Sequence, residues 1–381
     1  MKIFYIHCFY NKFGGEDSTF IAESNIINEK YCYSVKNKSS IYGLLQFILM
    51  PFNFFQAKKI INLIKLYNPD VVHVHNFHFA IGPLFIRYIK WKTNIPVVIT
   101  VQNYRLISPS ATFLINGQID LESLETNFPW HDIVNASFKN SKLLTFWIVF
   151  SNWLHLKMKT WDFIDLILVQ TNFSKEIFKK SKLQIDPRKI IVKANSVKDF
   201  GMGLPNRNNR FLFIGRLSEE KGLQFLISIA IKLNLELDII GDGPLRNKLE
   251  AQASNYPNIV FHGFMNKSFI IEKLKSSTAM LFTSIWFEGM PITILEAFST
   301  GTVVFSSNIG AMSEIVIENE NGFLINPLDY KMCAIKISNW ISLPDFQKKI
   351  LSENARRIYL EKYSSDINKS NLLNIYKSLI D

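Results

Sequence analysis

The residues of this 381-residue chain best suited to chemistry stand just after short apolar runs, where strands would end. Ser284-Ile285-Trp286-Phe287-Glu288-Gly289-Met290-Pro291 leads into a helical pattern over Ile292–Ser299, which stops before Gly301. Pro291 suits a first helical position and Gly301 suits a stop. Glu288 then lies on the loop and Glu296 on the helix, with seven residues between them. A carboxylate accepts two hydroxyl hydrogen bonds, so the pair can hold a polyol at each end of a diphosphate. The diphosphate would lie over the helix N-terminus, where the macrodipole favours negative charge. The plain alternative is a Glu296 that faces solvent.

A second group is Gly215-Arg216-Leu217-Ser218-Glu219-Glu220-Lys221-Gly222, after the apolar run Phe211–Ile214. Arg216 offers a planar fork and Lys221 a point charge, so both can reach one anionic centre. Read plainly, they are two surface cations, one of them paired with Glu219 or Glu220. A third group is Asn11-Lys12-Phe13-Gly14-Gly15-Glu16-Asp17, with a helical pattern from Ser18. Paired glycines let backbone N–H groups approach an anion, but a simple strand–helix turn reads equally well. Ile239-Ile240-Gly241-Asp242-Gly243-Pro244 and Phe261-His262-Gly263-Phe264 are two more turns with little side-chain bulk.

Parallel sheets would position such turns. Short apolar runs alternate with helical patterns throughout, which is the rhythm of βα units. Strands are expected at Ile3–His7, Val71–His75, Val97–Val101, Leu166–Gln170 and Ile190–Lys193. A second set is expected at Phe211–Ile214, Glu236–Ile240, Ile259–Phe261, Ala279–Thr283 and Val303–Ser306. The stretch Gly201–Asn209 (GMGLPNRNN) reads as the linker, giving domains over 1–200 and 201–364. The tail from Ser365 is helical in pattern and is expected to pack back onto the first domain. In open α/β sheets ligands bind beyond the carboxyl ends of the strands, where these turns lie.

Composition narrows the setting. Hydrophobic content of 48% and charged content of 20% exclude a disordered chain. The net charge of +11 is uneven: residues 1–200 carry 24 Lys+Arg and 14 Asp+Glu, a difference of +10, and the remainder carries 19 and 18. The first half should meet something acidic, whether nucleic acid, anionic membrane or phosphorylated substrate. Cys8, Cys32 and Cys333 have neither disulfide nor metal-ligand spacing, which fits a reducing, cytoplasmic compartment. No signal peptide is expected at the N-terminus, and no stretch has the roughly 18 apolar residues of a spanning helix. Ile41–Phe55 and Leu143–Leu156 come nearest. They read either as buried helices or as in-plane membrane contacts.

Taken together, GRLSEEKG, IIGDGPL, VFHGF, EGMPITILEA and ENGFLINP, with FGGED, NPDVVHVHN and VVITVQNYRLISP before them, resemble retaining glycosyltransferases of family 4 over essentially the whole chain. The resemblance implies an α/β GT-B fold, two Rossmann-like doubly wound domains facing each other across a cleft. It implies that Arg216 and Lys221 bind the donor diphosphate and neutralise the leaving group. Glu296 would hold the ribose hydroxyls, and Glu288 the hydroxyls of the transferred sugar, with Gly289, Met290 and Pro291 offering backbone amides. Gly263 and Phe264 would lie beside the base, and Gly14 and Gly15 would close over the phosphates. No metal and no cofactor are implied, the nucleotide sugar being a co-substrate; no Asp-x-Asp motif follows an apolar strand.

One position departs from the pattern. Gln102 stands where the family usually has His, followed by Asn103, Tyr104 and Arg105. Gln keeps hydrogen-bonding capacity but cannot carry a proton. If the family's residue acts through its carbonyl and sugar contacts, Gln102 can serve, since the leaving phosphate can take the acceptor's proton. His75, Asn103 and Tyr104 are the candidate acceptor-side residues. His73, His75 and His78 suggest a metal, yet no neighbouring carboxylate or Cys completes a set. No G-x-S-x-G or G-x-G-x-x-G string appears in the required place. The expected activity is sugar transfer to a hydroxyl, on a lipid-linked glycan of bacterial surface polysaccharide, at the inner face of an anionic membrane. A nucleotide-sugar epimerase of the same architecture, or a nucleic-acid-binding protein, are the alternatives.

Overall fold

The computed structural model describes residues 1–11, 14–39 and 41–380. The chain divides into two compact units, Met1–Ala194 with Lys369–Asp381, and Asn195–Asn368. The first contains a six-stranded sheet of Ile3–Phe9 (β1), Lys30–Lys36 (β2), Val71–Asn76 (β3), Val97–Thr100 (β4), Leu166–Val169 (β5) and Ile190–Val192 (β6). Its spatial order is β2-β1-β3-β4-β5-β6, all parallel. The central strands are buried along their length, as sheets covered on both faces require, and β3 carries His73, His75 and Asn76 into that interior. The edge strand β2 is different: Tyr31, Cys32, Ser34 and Lys36 are exposed and Tyr33 alone is fully buried. It was not expected from the sequence because it lacks an apolar run.

The second unit repeats the plan with Phe211–Ile214 (β7), Leu237–Ile240 (β8), Ile259–Gly263 (β9), Ala279–Phe282 (β10), Val303–Ser307 (β11) and Gly322–Ile325 (β12). The order is β9-β8-β7-β10-β11-β12, a doubly wound sheet whose direction of progression switches between β7 and β10. Phe211, Phe213, Leu226, Leu281, Phe305 and Trp340 anchor its core. The 201–209 stretch belongs to this unit. Its Arg207 donates to the carbonyls of Leu274 (2.7 Å) and Thr300 (2.6 Å) and to Thr302 Oγ1 (2.9 Å), so it is a fixed segment rather than a free linker.

The last helix, Ser365–Ile380, carries Leu372 and Tyr376 into the core of the first unit, beside Ile3, Tyr5 and Val98. The Tyr376 hydroxyl pairs with Tyr5 Oη (3.1 Å) and His73 Nδ1 (2.6 Å). No helix among the described residues is long and apolar enough to cross a membrane. The helix Lys142–Lys157 buries Thr145, Ile148, Val149, Ser151 and His155, so it is mainly a packed domain helix.

Candidate active site

At the carboxyl ends of β7 and β10, two loops are sewn together by their backbones. Ile285 N–H donates to the Glu220 carbonyl and Thr283 Oγ1 to the Lys221 carbonyl, both at 2.9 Å. Gly222 closes the first loop with φ +67°, and a Cβ there would stand 2.2 Å from the Thr283 carbonyl oxygen. A residue with a side chain would therefore be both strained and in collision. The contact places Lys221 against the second loop. Its ammonium lies 2.5 Å from Glu288 Oε1 and faces the rings of Phe282 and Trp286 at 5.5 and 5.1 Å. Ser284 Oγ donates to the same Glu288 oxygen at 2.8 Å. Lys221 and Glu288 are thus partners 67 positions apart. The plain alternative, a cation paired with Glu219 or Glu220, is not seen for Lys221.

Arg216 is exposed on the loop after β7 and makes no ion pair within 4 Å among the described residues. Pro291 sits at the cap of the helix Ile292–Ser299, one residue earlier than expected. Met290 is buried, with its carbonyl and sulfur against Asn195. Glu296 is buried on that helix, which rules out the solvent-facing alternative. One of its oxygens accepts from Lys267 Nζ, and Oε2 is buried without a hydrogen-bond partner. Burial pushes its carboxyl above the usual range, opposed by the Lys267 ammonium. Lys267 was not singled out from the sequence, because its partner Glu296 lies 29 residues away, and Ser284, whose partner Glu288 is on the same loop, was read only as part of that loop. The Trp286 indole N–H is likewise buried without a partner beside Lys221.

The other two turns differ from each other. Gly241 and Gly243 bring the turn after β8 against the loop after β7: a Cβ on Gly241 would meet the Gly215 carbonyl oxygen at 1.9 Å, and one on Gly243 that of Leu217 at 2.3 Å. Backbone approach explains these glycines. Gly263 ends β9 at φ +71°, and Phe264 next to it is 84% exposed, a free ring face.

In the first unit, Gly14 caps the helix Gly15–Ser24, which starts three residues before the expected Ser18. A Cβ on Gly14 would meet nothing within 4 Å, and its N–H donates to Asp17 Oδ2 (3.0 Å). Lys12 and Phe13 of the FGGED stretch and its approach lie outside the described residues. Gln102 is half-buried just beyond β4. Asn103 Nδ2 donates to Glu16 Oε1 at 2.6 Å, and burial raises the Glu16 carboxyl. Tyr104 is in the core with its hydroxyl on Ser174 Oγ (3.0 Å), a packing position. Arg105 lies over the rings of Phe79 and Phe138 at 5.2 and 5.3 Å.

The histidines also find partners the sequence did not show. Glu23 stands beside His73 and His75, supplying the carboxylate that seemed to be missing. Part of the cluster is already committed, while both His75 nitrogens and Glu23 Oε2 are buried without a hydrogen-bond partner. Lys193 Nζ is bonded to Glu23, and His73 holds Tyr376 Oη on one nitrogen and Thr100 Oγ1 (2.8 Å) on the other. Burial holds the His73 imidazole down at about 3 and His75 well below its ordinary value. A buried ammonium, that of Lys193, stands on the Glu23 carboxylate. His75 lies within this buried group, 3.6 Å from Glu23.

Two parallel doubly wound sheets, with cations and carboxylates at the strand ends of the second, define a GT-B architecture. Solved structures share it: HepE of Anabaena, bound to UDP, superposes with a TM-score of 0.71 over 99% of this chain and 100% of its own, at 16% identity. Residues 195–358 match the family described as glycosyl transferases group 1. An uncharacterized glycosyltransferase of Methanocaldococcus jannaschii is 31% identical over 183 residues, 46% of each chain. The Escherichia coli UDP-Gal:alpha-D-GlcNAc-diphosphoundecaprenol alpha-1,3-galactosyltransferase is 32% identical over 213 residues, 49% of this chain and 53% of its own. The chain spans about half the length of the curated relatives it matches.

Proposed function

We propose that the protein transfers a sugar from a nucleotide-sugar donor to a hydroxyl acceptor with retention of anomeric configuration. The observation that carries this reading is the Lys221–Glu288 pair, in the same unit as a carboxylate, Glu296, whose second oxygen is buried and unsatisfied. A ribose hydroxyl donating to Glu296 Oε2 would satisfy it, and an unmet buried acceptor costs about 1–3 kcal/mol. Arg216 and Lys221 would take the diphosphate, and Glu288 the hydroxyls of the transferred sugar. Phe264 would face the base, and Gly289 would offer its amide nearby.

In the reaction, the bond from the anomeric carbon to the diphosphate oxygen breaks and a bond to the acceptor oxygen forms on the same face. The acceptor's proton passes to the departing phosphate oxygen, leaving a nucleoside diphosphate and the glycoside. Fixed cations that meet charge developing on the leaving group need no reorganisation at the moment of transfer. These residues supply that charge without a metal. Gln102 would serve by hydrogen bonding alone, as the proton has another destination. The acceptor is a lipid-linked glycan in bacterial surface polysaccharide assembly, at the cytoplasmic face of an anionic membrane. The relative acting on a diphosphoundecaprenol acceptor and the +10 bias of the first 200 residues support this.

A panel of nucleotide sugars, with nucleoside diphosphate release and the anomeric configuration of the product measured, tests the proposal. Glu288→Ala and Arg216→Ala should each lower turnover at least about 100-fold with the fold intact. Wild-type rates in both variants, or an inverted product, would refute it.

A further inference from the structure

The helix Ile41–Leu49 buries one side chain, Phe47, which packs with Phe138 and Ile148 and is held by Trp147 Nε1 donating to its carbonyl (2.9 Å). Its other large apolar residues point outward: Ile41 is 71% exposed, and Leu44, Leu45 and Ile48 about half. The exposed face continues past the turn into Phe52, Phe54 and Phe55, the last 73% exposed. From there an aromatic strip runs through Phe54–Tyr88 (6.5 Å between centroids) and Tyr88–Trp91 (5.7 Å), ending on an exposed Trp91. An apolar surface this continuous is rarely left uncovered on a soluble domain.

Charge says what covers it. From Lys30 to Ile119 the sequence has ten Lys and Arg and a single acidic residue, Asp70. Lys38, Lys58, Lys59 and Lys92 are exposed around the apolar face, and Lys38 Nζ lies 5.1 Å from the Tyr42 ring. Aromatic and aliphatic side chains on one face, with a rim of lysines and almost no carboxylates, match the boundary between headgroups and acyl chains. We propose that this face, from Ile41 to Phe55 with the Tyr88–Trp91 strip, lies in the plane of an anionic lipid surface. It gives the membrane contact of the proposed function a location, and it stands on the first unit alone, independently of the donor site.

The test is flotation of the full chain with two kinds of vesicle, phosphatidylcholine alone and phosphatidylcholine with about one third phosphatidylglycerol. Binding is expected to the second kind only and to weaken as salt rises. The exposed double variant Leu45→Glu/Phe55→Glu should lower the bound fraction at least about tenfold, and Lys58→Glu/Lys59→Glu several-fold, with unchanged circular dichroism. Equal binding to both vesicles, or full binding by Leu45→Glu/Phe55→Glu, overturns the proposal. So does a dimer in sedimentation that this variant dissolves, which would give the face to a second copy. Nucleoside diphosphate binding by the same proteins reports separately on the second unit. Its absence would count against the transferase reading and leave the lipid surface standing.

Discussion

Glu296 gives one oxygen to Lys267 and keeps the other buried and unmet, and the proposed hold on a ribose rests on that second oxygen. Glu296→Gln keeps the shape and removes the charge. Nucleoside diphosphate affinity, measured by calorimetry, should fall about tenfold, since a hydrogen bond to an ionised group is stronger than to a neutral one. Because burial raises the Glu296 pKa, the wild type should also lose affinity as pH falls toward the carboxylate range, and the variant should lose less. Buried imidazoles give a second pH effect, on stability. His73 stays neutral down to about 3 and His155 down to about 4, whereas both take a proton near 6.5 once unfolded. The unfolded state then binds more protons, so stability falls as pH drops below about 6.5, at up to about 1.4 kcal/mol per pH unit for each group. Thermal unfolding followed from pH 7 to 5 should show a declining Tm; a flat profile would contradict the assignment.

At the scale of elements, Gly222 joins the strand-end loop to the helix Leu223–Lys232 and lets Lys221 reach Glu288. Gly222→Ala adds a left-handed strain and a collision with the Thr283 carbonyl, together at least about 2 kcal/mol. A Tm lowered by about 4–8 °C, with weakened nucleoside diphosphate binding, is the expected result. The sequence made much of this legible. Phe211–Ile214 and Ala279–Phe282 are unbroken apolar runs, as buried parallel strands must be, and Pro291 and Gly301 bracket the helix between them. What it hid was pairing between distant positions. Lys267 meets Glu296 across 29 residues and Lys193 meets Glu23 across 170, and nothing local marks either. The edge strand Lys30–Lys36 was hidden for another reason, since one exposed side removes the apolar signal.

For the whole molecule, the first unit is discontinuous in sequence: its core includes Leu372 and Tyr376, contributed after the second unit has been traversed. Tyr376→Phe leaves Tyr5 and His73 without their shared buried partner. It should cost about 1–3 kcal/mol, read as a lower denaturation midpoint with little change in m-value. This arrangement also sets an order of events during synthesis. Domains usually fold as they leave the ribosome, amino-terminal first. Here the unit that begins the chain still lacks Leu372 and Tyr376 when Asn195–Asn368, continuous in sequence, is complete. The continuous second unit can therefore close while the basic, apolar-faced unit still waits. A chain cut short before Leu372 would carry one finished half and one unfinished half, ready for proteolysis.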